Sequence, residues 1–234
     1  EVILVSSGAV ASGRSEMHAH TFKRKLAQVS ARQLFSAVGQ AKLINHYYEL
    51  FRDHGLVCGQ VLTTKESLST RRHYLNQQHC MSVMLANGVI PILNENDTIS
   101  TSEIEQVQTF GDNDRLSAVV ASITDADLLI LLSDIDGMYT DDPRTNPDAR
   151  FIHYVETIDD SLIQMGKATS GSSVGTGGMA SKIAAAMIAA NSGADMVITN
   201  ANNVENIVGI LNGEDIGTLF LNHRNKDFDL KELI

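Results

Sequence analysis

Cysteine is scarce in this sequence: Cys58 and Cys80 are the only two among 234 residues. They show neither CxxC spacing nor a companion histidine pattern, which argues against a disulfide framework or a structural zinc and for a reducing compartment. Proline is nearly as rare, and three Pro beside seventeen Gly exclude low-complexity and fibrous classes. Cations are under-represented. Eighteen Lys and Arg against 28 Asp and Glu give a net charge of −10, the wrong sign for gripping a phosphate backbone or an anionic bilayer. A small-molecule partner is expected, with no nucleic acid and no membrane. Long apolar runs are also missing: stretches such as Ile183 to Ala190 fall far short of the roughly 20 residues that span a bilayer. No signal-peptide pattern precedes them, so a cytoplasmic location is expected. Walker A, HExxH and EF-hand strings are absent as well.

What remains is an ordinary globular composition, 43% hydrophobic and 20% charged with a mean hydropathy of −0.04. The length suits one large α/β domain or two small ones. Apolar runs of strand length recur at Val2 to Val5, Leu56 to Leu62, Val89 to Leu93, Leu128 to Leu132, Met196 to Thr199 and Ile216 to Leu221. Helical periodicity fills the intervals at Ala31 to His54, Ser67 to Ala86, Asp114 to Ile123 and Met179 to Asn191, with Gly55, Asn87-Gly88 and Ser192-Gly193 as stop signals. Near-continuous apolar strands alternating with helices predict a mainly parallel open sheet covered on both faces, a three-layer α/β/α sandwich. Asp134 to Val155 breaks the rhythm with Gly137, Pro143 and Pro147 and reads as turns with a hairpin. The first strand has no initiator Met and no polar lead-in, which implies sequence upstream of Glu1.

Open parallel sheets bind ligands beyond the carboxyl ends of their strands, so polar residues directly after strands are the candidates. Ser6-Ser7-Gly8-Ala9 follows the first strand, either as a plain helix cap or as a turn where Gly admits a ligand and free N–H groups meet an anion. Asn94-Glu95-Asn96-Asp97-Thr98 follows another. Such a string is either a polar turn or a grip for a zwitterion, with carboxylates for its ammonium group. Gly111-Asp112-Asn113-Asp114 opens a helix, as a cap or as a means of placing cations or a metal ion around phosphate. Gly175-Thr176-Gly177-Gly178-Met179-Ala180-Ser181-Lys182 is either a flexible linker or a phosphate cradle with a lysine at its edge. Its G-x-G-x-x-A spacing follows a Ser/Gly-rich stretch rather than a strand, so it is not a dinucleotide fingerprint.

In order along the chain, VSSGAVASGR, AVGQ, NENDTISTSEI, FGDNDRLSA, LLSDIDGMYTDDPRTNP, GTGGMASK and IGTLF resemble the glutamate 5-kinases of the amino-acid kinase family. The match runs through nearly the whole chain. That resemblance implies one amino-acid kinase domain over residues 1–234, lacking its first strand and the carboxyl-terminal PUA domain of many members. It implies ATP-dependent phosphorylation of the side-chain carboxylate of L-glutamate, with Mg²⁺ accompanying ATP, as the first step toward proline. Proline is implied as a feedback inhibitor acting near Thr101 to Phe110, and a homodimer or homotetramer as the assembly. By the same resemblance Ser7, Gly8, Ala9, Asn94, Asp97 and Asn113 would bind the amino acid. Ser133, Asp134, Thr176, Gly177, Gly178, Met179 and Lys182 would bind ATP, and Lys182 and Asp114 would carry catalysis, with no residue assigned directly to the metal.

Three rivals stand beside this reading. Another amino-acid kinase would act on acetylglutamate, aspartate, carbamate or a nucleoside monophosphate. Thr98 to Phe110 contains no Lys or Arg, which suits a free amino group better than an acylated or phosphorylated substrate. A fragment of a bifunctional synthase is the second, and a non-catalytic sensor the third. Asp114 and Lys182 weigh against a sensor, because clustered charges near a phosphate site cost stability unless they are used.

Overall fold

A computed structural model describes residues 1–18, 26–99, 113–141, 143, 145–168 and 178–230. The chain divides into two compact units, Glu1–Asn113 and Asp114–Ile234.

In the first unit three parallel strands form a sheet: β1 (Leu4–Val5) and β2 (Val57–Thr63) flank β3 (Val89–Glu95). Leu4 faces Ile92 and Val57 faces Val89, so all three strands end at the same edge. The helices are α1 (Ala9–Met17), α2 (Gln28–Asp53), α3 (Lys65–Ser69) and α4 (Arg71–Ala86). One helix was expected from Ser67 to Ala86, and two are found. Thr70 is extended (φ −104°, ψ 137°) and accepts a hydrogen bond from the His73 amide, so it starts a new helix instead of continuing the old one. Thr64 heads α3 with a capping box, its hydroxyl accepting from the Ser67 amide while Ser67 accepts from the Thr64 amide. Helices α1 and α2 cross backbone to backbone. A Cβ on Gly39 would lie 1.7 Å from the Ala9 carbonyl oxygen, and one on Gly13 would lie 1.8 Å from that of Phe35.

The second unit has the strand order β4 (Leu128–Ser133), β8 (Asp195–Asn200), β9 (Thr218–Phe220), β7 (Tyr154–Val155). Only the β8–β9 pairing is antiparallel within it. A separate hairpin, β5 (Met138–Tyr139) with β6 (Phe151–Ile152), forms inside the Pro- and Asp-rich excursion, as expected there. Helices α5 (Asn113–Thr124), whose first residue belongs to the first unit, and α7 (Met179–Ser192) are buried on most faces. Leu116, Val119 and Ile123 on one, with Ile183, Ala186 and Ile188 on the other, join Met196, Ile198 and Phe220 in the core. Helices α6 (Asp160–Ala168) and α8 (Asn206–Leu211) complete the unit.

Asp159 caps α6. The Ser161 hydroxyl and the Leu162 amide both donate to its Oδ1, at 2.7 and 2.9 Å, and hold its carboxyl below the usual range. A carboxyl lowered in the folded state stabilises above its unfolded pKa, and that contribution is lost as pH falls through the folded value. Amide exchange at Ser161 to Ile163 should therefore accelerate selectively in acid, and Asp159→Asn should weaken that pH response.

Candidate functional site

The first cluster gathers where β1 and β3 end. Gly8 adopts φ 100°, a left-handed turn that Gly enters without strain, and it sits directly before α1. Ser7 and Gly8 are exposed while Ala9 is buried. The Ser6 amide extends the sheet by donating to the Leu93 carbonyl, and the Ser6 hydroxyl meets the Tyr47 hydroxyl at 2.9 Å. Asn113 Nδ2, at the end of the first unit, donates to the Ser6 carbonyl at 3.0 Å.

Asn94, the last residue but one of β3, and Asp97, just beyond the strand, are both buried. Asn94 Nδ2 donates to Gln40 Oε1 at 2.9 Å, and its own Oδ1 accepts from the Glu95 amide. Asp97 Oδ1 accepts from Arg32 Nε and Nη2 at 3.1 and 2.8 Å. Gln33 Nε2 donates to the Thr98 carbonyl. Three residues of α2 thus hold the polar segment. On its other side the Asn96 amide donates to the Thr63 carbonyl, and Gln77 Nε2 donates to the Thr63 hydroxyl at 2.8 Å. Arg32, Gln33 and Gln40 were not foreseen as site residues. Gln40 stood inside the AVGQ motif without a role, and Arg32 had no signal beyond its place in a helical pattern.

The second cluster belongs to the second unit. Lys182 Nζ lies 2.8 Å from Asp114 Oδ2, and the Ser181 hydroxyl donates to the same oxygen at 3.2 Å. Lys182 is only 7% exposed, so its charge is held inside the protein and needs this partner. At the far ends of the same helices the Ser192 hydroxyl donates to that of Ser122. Helices α5 and α7 therefore run in the same direction with their amino ends together, and helix dipoles so arranged favour an anion. Gly178 is extended and stands as the N-cap of α7, which begins at Met179, and among the described residues it makes no side-chain cap hydrogen bond. Thr176 and Gly177 lie outside the described residues, as do Gly175, Gly111, Asp112 and the segment 101–110.

Ser133 and Asp134 stand at the carboxyl end of β4, where Ser133 is in register with Asn200 of β8. Asn200 Nδ2 reaches Asp136 Oδ1 at 2.8 Å, and the Ala201 amide donates to the Ser133 carbonyl. Asp136 and Asn200 thus join the expected pair at the ends of two parallel strands, a position where α/β sheets bind ligands.

The amino acid kinase family model matches residues 1–200. A glutamate 5-kinase from Bacteroides thetaiotaomicron is 55% identical over 215 residues, which cover 92% of this chain and 57% of that protein. One from Carboxydothermus hydrogenoformans is 44% identical, covering 100% of this chain and 60% of the relative. A third, from Clostridium perfringens, is 42% identical over 94% of this chain and 81% of its own length. The chain spans less than two thirds of the first two relatives. Among solved structures, T. acidophilum isopentenyl phosphate kinase in a product complex superimposes with a TM-score of 0.57 at 16% identity, covering 94% of this chain and 83% of that one. Uridylate kinase from Archaeoglobus fulgidus gives 0.54 at 14% identity, covering 94% and 84%. At such identities these two show the fold alone.

Proposed function

The chain belongs to the amino acid kinase family, with that family's α/β fold and mostly parallel strands, and on this basis we propose that it acts as a glutamate 5-kinase. A side-chain carboxylate oxygen of L-glutamate forms a bond to the γ-phosphorus of Mg-ATP while the bond to the ADP oxygen breaks. The products are γ-glutamyl phosphate and ADP. Glutamate as the acceptor is supported by relatives of that name at 42 to 55% identity.

The observation that carries the phosphoryl-transfer part is the buried Lys182–Asp114 pair at the joined amino ends of α5 and α7. A carboxylate is already ionised at pH 7, so no general base is required. The enzyme must instead align two anions and place positive charge on the phosphoryl group in flight. Lys182 supplies that charge, and Asp114 and Ser181 fix its direction. Mg²⁺ arrives as part of the nucleotide substrate and offsets phosphate charge. Ser133, Asp134, Asp136 and Asn200 are the nucleotide side of this scheme, with the glycine-rich loop through Gly178. On the amino-acid side, Asp97 takes the ammonium group, Asn94 ties the polar segment to Gln40 of α2, and Asn113 orders the turn that carries Ser7 and Gly8.

Proline as a feedback inhibitor, a cytoplasmic setting and a homodimer or homotetramer belong to the same proposal and rest on the family resemblance. Among the described residues, no helix is long and apolar enough to cross a membrane.

The test is ADP release from Mg-ATP with L-glutamate, aspartate or N-acetylglutamate, with hydroxylamine added to trap an acyl phosphate as hydroxamate. Hydroxamate is expected with glutamate alone. Turnover that prefers N-acetylglutamate or aspartate would reassign the substrate, and nucleotide binding without turnover on any of them would overturn the kinase assignment.

A further inference from the structure

No Lys or Arg occurs between Val89 and Asp114, yet Asp97 has a cation beside it. Arg32 comes from α2, 65 residues earlier, and both of its donors address one oxygen, Oδ1. Asp97 Oδ2 accepts no hydrogen bond from the described residues. The fork of Arg32 retains N–H groups on Nη1 and a second one on Nη2. The Asp97 side chain is 12% exposed and that of Arg32 is 41% exposed, so the carboxylate is sheltered and the guanidinium is open on one side. An ion pair this exposed on one partner contributes little to stability, which makes a purely structural purpose a poor account of it.

We infer that Arg32 is a specificity-determining residue. Paired with Asp97, it presents a carboxylate and a guanidinium side by side, matching the ammonium and α-carboxylate that share one carbon in an amino acid. The substrate ammonium donates to Asp97 Oδ2, and the α-carboxylate accepts from the remaining N–H groups of Arg32. Arg32 also cancels the repulsion that Asp97 alone would exert on that α-carboxylate. This rests on the amino-acid substrate proposed above. Within it, Arg32 explains how a site with no other cation between Val89 and Asp114 accepts the α-carboxylate of an acidic amino acid. The simpler account is that Arg32, like its neighbour Gln33 on the Thr98 carbonyl, merely anchors the segment to α2.

The two accounts separate on substrates that differ only at the head. L-Isoglutamine and 4-aminobutyrate keep the ammonium group and the reacting carboxylate but lack the α-carboxylate, whereas glutarate lacks the ammonium group. With the full-length protein in the hydroxamate assay, and with each compound also titrated as a competitor of glutamate, Arg32→Gln should lower kcat/KM for L-glutamate about 10- to 100-fold, mainly through KM. Rates and competition by isoglutamine and 4-aminobutyrate should stay within about twofold. Arg32→Lys should restore part of the loss, because it returns the charge without the fork. Asp97→Asn should weaken glutamate and isoglutamine together and spare glutarate. Equal loss of glutamate and isoglutamine in Arg32→Gln would reduce Arg32 to an anchor, and no loss of either would remove it from the site. Wild-type protein inactive on glutamate would sink the substrate proposal itself and this assignment with it, an outcome distinct from an active enzyme whose Arg32 variant fails to discriminate.

Discussion

Replacing Lys182 with methionine is expected to lower turnover on the order of 10²- to 10³-fold while leaving amino-acid affinity nearly unchanged. The reason is the position of the charge. Lys182 sits in the first turn of α7 with its Nζ 2.8 Å from Asp114, at the end of two helices that both favour an anion there. A contact that forms fully only as charge moves onto the phosphoryl group affects kcat and not ground-state binding. Methionine keeps the stem packed, which matters because the lysine is 7% exposed. The substitution removes the Lys182 charge from beside the Asp114 carboxylate, so some loss of stability is also expected. The loss should be smaller than the roughly 3 to 5 kcal/mol of a fully buried pair, since the Asp114 side chain is 18% exposed and keeps the Ser181 hydroxyl. Calorimetric titration of glutamate, steady-state kinetics and urea unfolding on the same preparation separate these effects. Equal loss of binding and turnover would remove Lys182 from the transfer step. Asp114→Asn is the companion variant: it keeps shape and hydrogen bonding, removes the negative charge opposite Lys182, and should reduce kcat less than loss of the lysine does.

The parts of the fold legible in the sequence are those written in short-range chemistry. Leu128 to Leu132 is an unbroken apolar run and becomes β4, one residue longer at Ser133. Gly55, Gly88 and Gly193 mark the ends of α2, α4 and α7, and each takes a positive φ there. Thr70 is not legible as a boundary, because a threonine inside a periodic pattern looks like a tolerated interruption, and whether it caps a new helix depends on a backbone turn that periodicity does not encode. Helix α8 escaped notice for a related reason. Its six residues are too few for a 3.6-residue period to register.

In the candidate site the division follows sequence separation. Asn94, Asp97, Asn113, Asp114 and Lys182 stood out because each follows a strand or a glycine turn. Their partners did not. Gln40 lies 54 residues from Asn94, and Arg32 lies 65 from Asp97; both are in the interior of a long helix, where a polar residue normally faces water. The absence of Lys and Arg in Thr98 to Phe110 favours a free amino group. The fold brings a cation to Asp97 from α2 instead, so local composition understated the charge available there.

Gly39→Ala is expected to destabilise the protein by about 1 to 3 kcal/mol or more, although alanine is the better helix former by about 1 kcal/mol. The collision outweighs the propensity. The added Cβ would lie 1.7 Å from the Ala9 carbonyl oxygen and 2.4 Å from the Gly13 amide nitrogen, both backbone atoms that cannot rotate away. Helix α1 would have to move as a body, and it begins at Ala9, directly after Ser7 and Gly8. The other side of the contact is equally committed, because the residue after Gly39 is Gln40, whose Oε1 receives Asn94 Nδ2. Separating the helices therefore disturbs both polar turns of the first unit, and KM for glutamate should rise along with the loss of stability. Ala37→Gly on the exposed side of the same helix is the control. It should cost about 1 kcal/mol through propensity alone and leave KM unchanged. If Gly39→Ala proved as stable as the parent in urea unfolding, the two helices would have room that their backbone contact denies, and the close crossing would lose its place as the support of the amino-acid turns.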